Sequence, residues 1–199
     1  VLVLDTEKET VNTTADMEYS TDGGDTWTPA TEPLDVSDLA GTEIQVRYPA
    51  TEDTPASSVT TVTIPERRPA PDVTLDTDTG VISPSTGLEY SDDGGETWKP
   101  CPDPFDASDM AGKDIIIREP ATGTDLPGEE ITIHIPEKQP TPDVSLDTGK
   151  ETINTTGDME YSTDGGKTWQ PAEEPMDVSD LTGKDILIRV PGDEDHLTS

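Results

Sequence analysis

The sequence predicts an all-β chain: three small β-sandwich domains in tandem. Three observations carry that reading. Displaced by 71 residues, the chain aligns on itself without a gap, so that Trp27, Trp98 and Trp169 coincide, as do Arg47, Arg118 and Arg189. This period exceeds those of the common solenoid repeats, so each unit is expected to be a domain. Runs such as "GKDIIIREP" and "EEITIHIPE" alternate with a period of two, while 19 prolines and 16 glycines leave no room for a long helix. Hydrophobic residues make up 29% and aromatics 4%, too few for one large core and suited to several small ones.

The elements of the first unit follow in order. "VLVLDT" places Leu2 and Leu4 on one strand face, and "TVNTT" offers Val11. "MEYST" turns Met17 and Tyr19 inward and Glu18 and Ser20 outward. "DGG" then marks a hairpin: glycine supplies the positive φ of a tight turn, and aspartate bonds to nearby backbone amides. After "TWTP", the segment "DVSDLAG" breaks the pattern; Ser37 is expected to cap a short helical turn, Leu39 to pack under it and Gly41 to end it. "EIQVRYP" alternates Ile44 and Val46 with Gln45 and Arg47, and "TTVTIP" alternates Val62 and Ile64 with Thr61 and Thr63. Six or seven short strands of this kind fit a small sandwich with a marginal core, in which the tryptophan is expected to be the largest buried group.

The repeat sets the domains: residues 1–65, 72–136 and 143–199, joined by proline-rich linkers at 66–71 and 137–142 that are expected to act as stiff spacers. The third domain is truncated. Displaced by 142, its last residues His196 to Ser199 match Thr54 to Ser57, so nothing corresponds to "SVTTVTIPE", the last strand of the first unit. An open strand edge is expected there, one that recruits a strand or frays. Beginning directly in a strand-like run without a signal peptide, the chain reads as a fragment of something longer, and a mature secreted protein would begin in the same way.

Net charge is −32, from 44 acidic and 12 basic residues. It divides almost evenly, −10, −12 and −10 over residues 1–71, 72–142 and 143–199, so no unit is a basic docking face. Such a surface repels DNA, RNA and anionic lipid, and no apolar run is long enough for a membrane span, so neither nucleic acid nor membrane insertion is expected. The lone Cys101 excludes an intrachain disulfide and a cysteine zinc site; its place is taken by Ala30 and Ala172 in the sister units, which argues against a nucleophile.

The hairpin phrase itself carries a resemblance. Ser20, Asp22, Gly24, Thr26 and Trp27 fit Ser-x-Asp-x-Gly-x-Thr-Trp, as do Ser91, Asp93, Gly95, Thr97 and Trp98, and Ser162, Asp164, Gly166, Thr168 and Trp169. This resembles the Asp-box of sialidase-like propellers, and what the resemblance implies is structural. Asp22, Asp93 and Asp164 tie the turn and Trp27, Trp98 and Trp169 plug it into the core, away from any active site. The whole unit, with its "YSTDGGDTW" hairpin and its "PATEDTPASSVTTVTIP" ending, is similar to tandem repeats in large surface proteins of Gram-positive bacteria. That similarity implies an immunoglobulin-like or fibronectin type III-like fold.

No catalytic constellation is legible. Arg47, Arg118 and Arg189 occur one per repeat and are expected to pack across a sheet and pair with a neighbouring acid, not to form an arginine cluster. His134 and His196 lie in different units, which disfavours a metal pair and a Ser–His–Asp arrangement. Asn12 and Asn154 recur but the second unit has Ser83 there, and Lys8 and Lys150 sit in polar turns, so no Lys–Asn cross-link is expected. No resident cofactor is expected. The acidic loops "TEDT", "TGTDLPGEE" and "GDED" recur at one place, and Glu52, Asp53, Asp125, Asp193 and Asp195 are the residues that could contribute to weak calcium loops, with a solvated loop favoured over a built site. The reading is a non-enzymatic stalk or spacer of a secreted or cell-wall-anchored, adhesin-type bacterial surface protein, extracellular and a monomeric rod. The alternative is a module that binds carbohydrate or a host protein, for example an accessory region of a glycoside hydrolase. Tyr48 is the one aromatic outside the repeated core-like positions, a poor platform for a sugar.

Overall fold

A computed structural model describes residues 1–199. It is all-β, with twenty short strands and three single 3₁₀ turns. The first repeat has seven strands: β1 (Leu4–Asp5), β2 (Thr10–Val11), β3 (Glu18–Ser20), β4 (Thr28–Pro29), β5 (Leu34–Asp35), β6 (Glu43–Arg47) and β7 (Thr60–Thr63). They form two antiparallel sheets, ordered β1-β2-β5 and β4-β3-β6-β7. Register pairs Tyr19 with Val46 and Ile44 with Val62, which sets the inward residues of three strands side by side. Between the sheets Val11, Leu34, Val36, Ile44, Val46 and Ile64 form the core, with Leu2, Leu4, Met17, Tyr19, Leu39 and Val62 packed around it.

The second repeat has β8 (Thr74–Asp76), β9 (Val81–Ser83), β10 (Glu89–Ser91), β11 (Lys99–Pro100), β12 (Phe105–Asp106), β13 (Asp114–Arg118) and β14 (Ile131–His134). Its small sheet is ordered β12-β9-β8. The third has β15 (Leu146–Asp147), β16 (Thr152–Ile153), β17 (Glu160–Ser162), β18 (Gln170–Pro171), β19 (Met176–Asp177) and β20 (Leu187–Arg189). Its sheets are β15-β16-β19 and β18-β17-β20, three strands each, where the first repeat has three and four. The strand matching β7 is missing, and its neighbour has shrunk: β20 spans three residues where β6 and β13 span five. Ile186, the counterpart of the fully buried Ile44 and Ile115, is only half-buried.

By compactness the chain forms two units. One holds Val1–Pro71 with Gly87–Tyr90 and Ile117–Ile131; the other holds Asp72–Thr86, Ser91–Ile116 and Thr132–Ser199. Within the first unit, the segment from the second repeat supplies Leu126, which is fully buried in the core of the first repeat. Leu126 lies in the acidic loop "TGTDLPGEE". The loop is held by Thr6, whose hydroxyl donates to the Thr122 carbonyl (2.5 Å). Within the second unit Leu197, the residue 71 places on, is likewise buried. Its N–H donates to Glu137 (2.9 Å), and its carbonyl accepts from the N–H of Gln139 (2.7 Å).

Two expectations change here. The linkers are not bare extended spacers. Arg67 donates to Glu9 and to the carbonyls of Ser37 (3.0 Å) and Pro127 (3.1 Å), and Arg68 pairs with Glu119 (2.9 Å). In the other linker Lys138 bridges in parallel to Leu197. A proline-rich segment still carries carbonyls and N–H groups, and here the loop of the following repeat satisfies several of them. Nor does Ser37 cap its turn. The residue before the turn is Val36, and no side-chain cap forms. Instead the carboxylate of Asp35 accepts the Ser37 N–H (2.9 Å), as Asp106 does for Ser108 (2.9 Å) and Asp177 for Ser179 (2.8 Å). An aspartate two residues back reaches the same orphan donor through an Asx turn.

Candidate functional site

The residues that recur most strictly are those of the hairpin, and their geometry is nearly the same three times over. Ser20 ends β3 with its side chain buried, not outward as its alternation with Tyr19 suggests; Ser91 and Ser162 are buried too. The Ser20 hydroxyl donates to Asp22 Oδ1 (2.7 Å) and accepts the N–H of Gly24 (2.9 Å). The Asp22 carboxylate accepts the Thr26 N–H (2.9 Å) and the Thr26 hydroxyl (2.5 Å). In the third repeat the same four bonds join Ser162, Asp164, Gly166 and Thr168 at 2.6–3.0 Å. In the second they join Ser91, Asp93, Gly95 and Thr97 at 2.5–2.9 Å. Gly24, at φ +98°, passes close under the Trp27 ring, and a Cβ there would lie 3.1 Å from the Gln45 side chain.

These bonds stabilise the charged carboxylate. Donation from the Thr97 hydroxyl, then the Thr97 N–H and the Ser91 hydroxyl, holds Asp93 at about 2. The Thr168 hydroxyl, its N–H and Ser162 hold Asp164 at about 2 in the same way. Asp22 is lowered further by Thr26 and Ser20. A low carboxylate pKa is the opposite of what a general acid needs near neutral pH. Both oxygens of each carboxylate are engaged by the protein's own turn, so the hairpin presents them as ties.

The tryptophans depart from expectation. Trp27, Trp98 and Trp169 are half-buried, and Trp27 and Trp169 stand outside the core clusters of their repeats. The Trp27 indole N–H donates to the Gly24 carbonyl (2.9 Å), and the Trp169 N–H to Gly166 (3.1 Å). Their rings lie under arginines: the Arg47 guanidinium is 3.7 Å from the Trp27 ring centre and that of Arg189 4.1 Å from the Trp169 ring. The arginines pair with acids across the sheet, Arg47 with Glu18 (2.6 Å), Arg118 with Glu89 (2.8 Å) and Arg189 with Glu160 (2.8 Å), as expected of one arginine per repeat. Register explains the pairing, since Glu18 faces Arg47 on β3 and β6 and Glu160 faces Arg189 on β17 and β20. The glutamates were not singled out from sequence, although they recur two residues before each Asp-box serine.

The loop acids are placed apart. Glu52 and Asp53 lie in an exposed turn closed by Thr51 and Thr54, where the Thr51 N–H donates to the Thr54 carbonyl (2.8 Å). Asp125 accepts the Thr122 hydroxyl (2.9 Å). Asp193 accepts the Asp195 N–H (2.8 Å) and the Gln139 amide (2.7 Å), and the Asp195 N–H foremost lowers its pKa. The Asp125 and Asp193 carboxylates accept within their own loops, and nowhere do three or more His, Cys, Asp or Glu side chains converge on one point. His134 is exposed beside Asp114 (2.7 Å), and Cys101 is partly exposed at the alanine position of the sister repeats. Asn12 accepts the Val3 N–H (2.5 Å), and Asn154 accepts from Ser145, which ties the first two strands of the first and third repeats.

Comparison with known proteins marks the same hairpins. The family model for the BNR/Asp-box repeat matches residues 18–29, 89–100 and 160–171, which span β3–β4, β10–β11 and β17–β18. No curated protein matches the chain. Among solved structures, the FN1–FN3 fibronectin domains of chicken CNTN1 align over 87% of this chain and 83% of theirs, at 12% identity and a TM-score of 0.21.

Proposed function

We propose that the chain is a run of non-enzymatic spacer repeats from a secreted or cell-wall-anchored, adhesin-type surface protein of a Gram-positive bacterium, without a resident cofactor. One observation carries the reading: in every repeat the recurring carboxylate is consumed by its own hairpin, with both oxygens accepting from the adjacent threonine and serine. The most regular chemistry of the chain thus serves to hold turns. The even spread of negative charge suits a segment kept soluble and unassociated.

A second reading, a binding module, has one observation in its favour. Tyr48, 47% exposed, stands at a cleft of about 630 Å³ that Asn12, Met17, Arg47 and Ser57 also line. One experiment separates the two. The chain is screened for saturable binding on glycan and host-protein arrays, and for turnover of glycoside substrates. It is then stretched end to end in a force spectrometer. A spacer gives no binding, no turnover and discrete unfolding events. Saturable binding that Tyr48→Ala abolishes would replace the spacer by the module, and turnover would remove both.

A further inference from the structure

The last strand of the first repeat, β7, ends its sheet, with β6 paired on one side and no strand on the other. The Ile64 N–H donates to the Thr42 carbonyl (2.8 Å), and the register sets Ile44 with Val62 and Val46 with Thr60. Antiparallel ladders alternate, so Thr60, Val62 and Ile64 bond toward β6, while the N–H and C=O groups of Thr61 and Thr63 point away from the sheet. No loop backbone bonds to these outward groups. Thr60, Thr61 and Thr63 are exposed, as is Val59 at the head of the strand.

What sets β7 apart is the sequence around it. Thr54–Pro65, twelve residues, is the longest stretch of the chain without a charged side chain. The counterpart stretch of the second repeat, 125–136, carries Asp125, Glu129, Glu130 and His134. There Glu130 pairs with Arg118 (3.1 Å), His134 stands beside Asp114 (2.7 Å), and the Glu129 N–H is given to the Arg68 carbonyl (2.8 Å). Exposed strand edges are ordinarily kept from other chains by charge, by proline or by a covering segment. The second repeat uses charge and a contact with the linker. Along β7 the first repeat uses neither, and a proline comes only at its end, Pro65.

We infer that β7 is a self-association edge, to which a second copy of this chain adds its own β7 antiparallel. Charge selects the occupant. Two chains at −32 repel wherever acids face acids, so copies approach closely only along an uncharged strip, whereas a cationic partner is drawn to the acids and gains nothing from threonines. The strip is also its own complement. With a two-fold axis at Val62, Thr61 of one copy lies opposite Thr63 of the other, and each such pair exchanges both main-chain bonds. Threonine facing threonine across the strands adds to the pairing. Pro65 has no N–H to give, so it ends the ladder and fixes this register. A strand of four residues makes a contact far smaller than a permanent interface, so the dimer is reversible and forms when salt screens the remaining charge. The pairing stands apart from the spacer reading, since a strictly monomeric chain would still be a spacer.

Sedimentation equilibrium of the whole chain at about 10 mM and about 0.5 M sodium chloride tests this, together with amide shifts followed on dilution. A monomer–dimer equilibrium is expected at the higher salt, with a dissociation constant on the order of 1 mM or tighter, and at least about tenfold weaker at the lower salt. The concentration-dependent shifts should lie on β7 and on β6 behind it. Thr61→Glu, at an exposed position that leaves the core untouched, is expected to weaken self-association about tenfold. An equal mixture of Thr61→Glu and Thr63→Lys chains should restore it, because the register sets those two positions opposite each other. A mixture of Thr61→Glu and Thr61→Lys chains, whose altered positions do not meet, should gain less. A chain that stays monomeric at millimolar concentration in the higher salt overturns the inference. So do shifts centred outside the first repeat, a Thr61→Glu chain that associates as well as the unaltered one, or an equal gain from the two mixtures.

Discussion

A serine hydroxyl with almost no exposure organises each hairpin, and it is easily mistaken for a surface group. Ser162 holds the Gly166 N–H and the Asp164 carboxylate together. Removing it leaves the half-buried Gly166 N–H and one Asp164 oxygen without their partner at once, so Ser162→Ala is expected to cost the third repeat about 1–3 kcal/mol. The exposed Thr163→Ala next to it is expected to change stability by less than about 0.5 kcal/mol, with urea denaturation as the measurement for both. The carboxylates give a pH signature. Asp93 and Asp164 are held at about 2 in the folded chain, below the ordinary 3.8. A depressed folded pKa adds stability that is fully present above the unfolded value and is lost as pH falls through the folded one. Stability is therefore expected to fall between about pH 4 and pH 2, and Asp164→Asn should flatten that fall for the third repeat in a fluorescence-monitored acid titration.

The strand pattern was legible because period-two alternation is dictated by geometry. Ile44 with Val46 and Val62 with Ile64 could be read as inward pairs, and the threefold "DGG" could be read as three hairpins. The serine and the tryptophan were misplaced for the same reason. Alternation assigns a face, but it does not reveal that a turn folds back over a strand end and buries a hydroxyl, or that an arginine facing a glutamate covers an indole. Leu126 and Leu197 carried a signal that went unused: two leucines in register inside acidic loops, where the first repeat has Pro55. A loop with no strand pattern and one recurrent apolar residue marks a contact with something outside its own sheet. Among residues up to Ser199 no strand pairs with the free side of β20, and this has an element-scale consequence. Amides of Ile186–Ile188 are expected to exchange with solvent faster than those of Ile44–Val46 and Ile115–Ile117, since only the latter strands are followed by a closing strand. Equal protection in hydrogen exchange would contradict the assignment of β20 as an open edge.

For the whole molecule, charge and interlocking act in opposite directions. A net charge of −32 repels itself, and screening should relieve this. Raising sodium chloride from about 10 mM to about 0.5 M is expected to raise the melting temperature, because the Debye length contracts from roughly 30 Å to only a few ångströms. Calcium at a few millimolar is expected to do no more than magnesium at equal ionic strength, since the Asp125 and Asp193 carboxylates are engaged in their own loops and no three acids converge. A calcium-specific gain would instead identify a site among Asp125, Asp193 and Asp195. The central claim is that the loop of one repeat completes the core of the repeat before it. Hydrogen exchange on the full chain, with and without Leu126→Ala, tests it most directly. The account predicts a loss of about 2–5 kcal/mol of protection at Val11, Val36, Ile44 and Val46, more than 70 residues away in sequence, and none at Tyr161 or Ile188. Unchanged protection in the first repeat would contradict it.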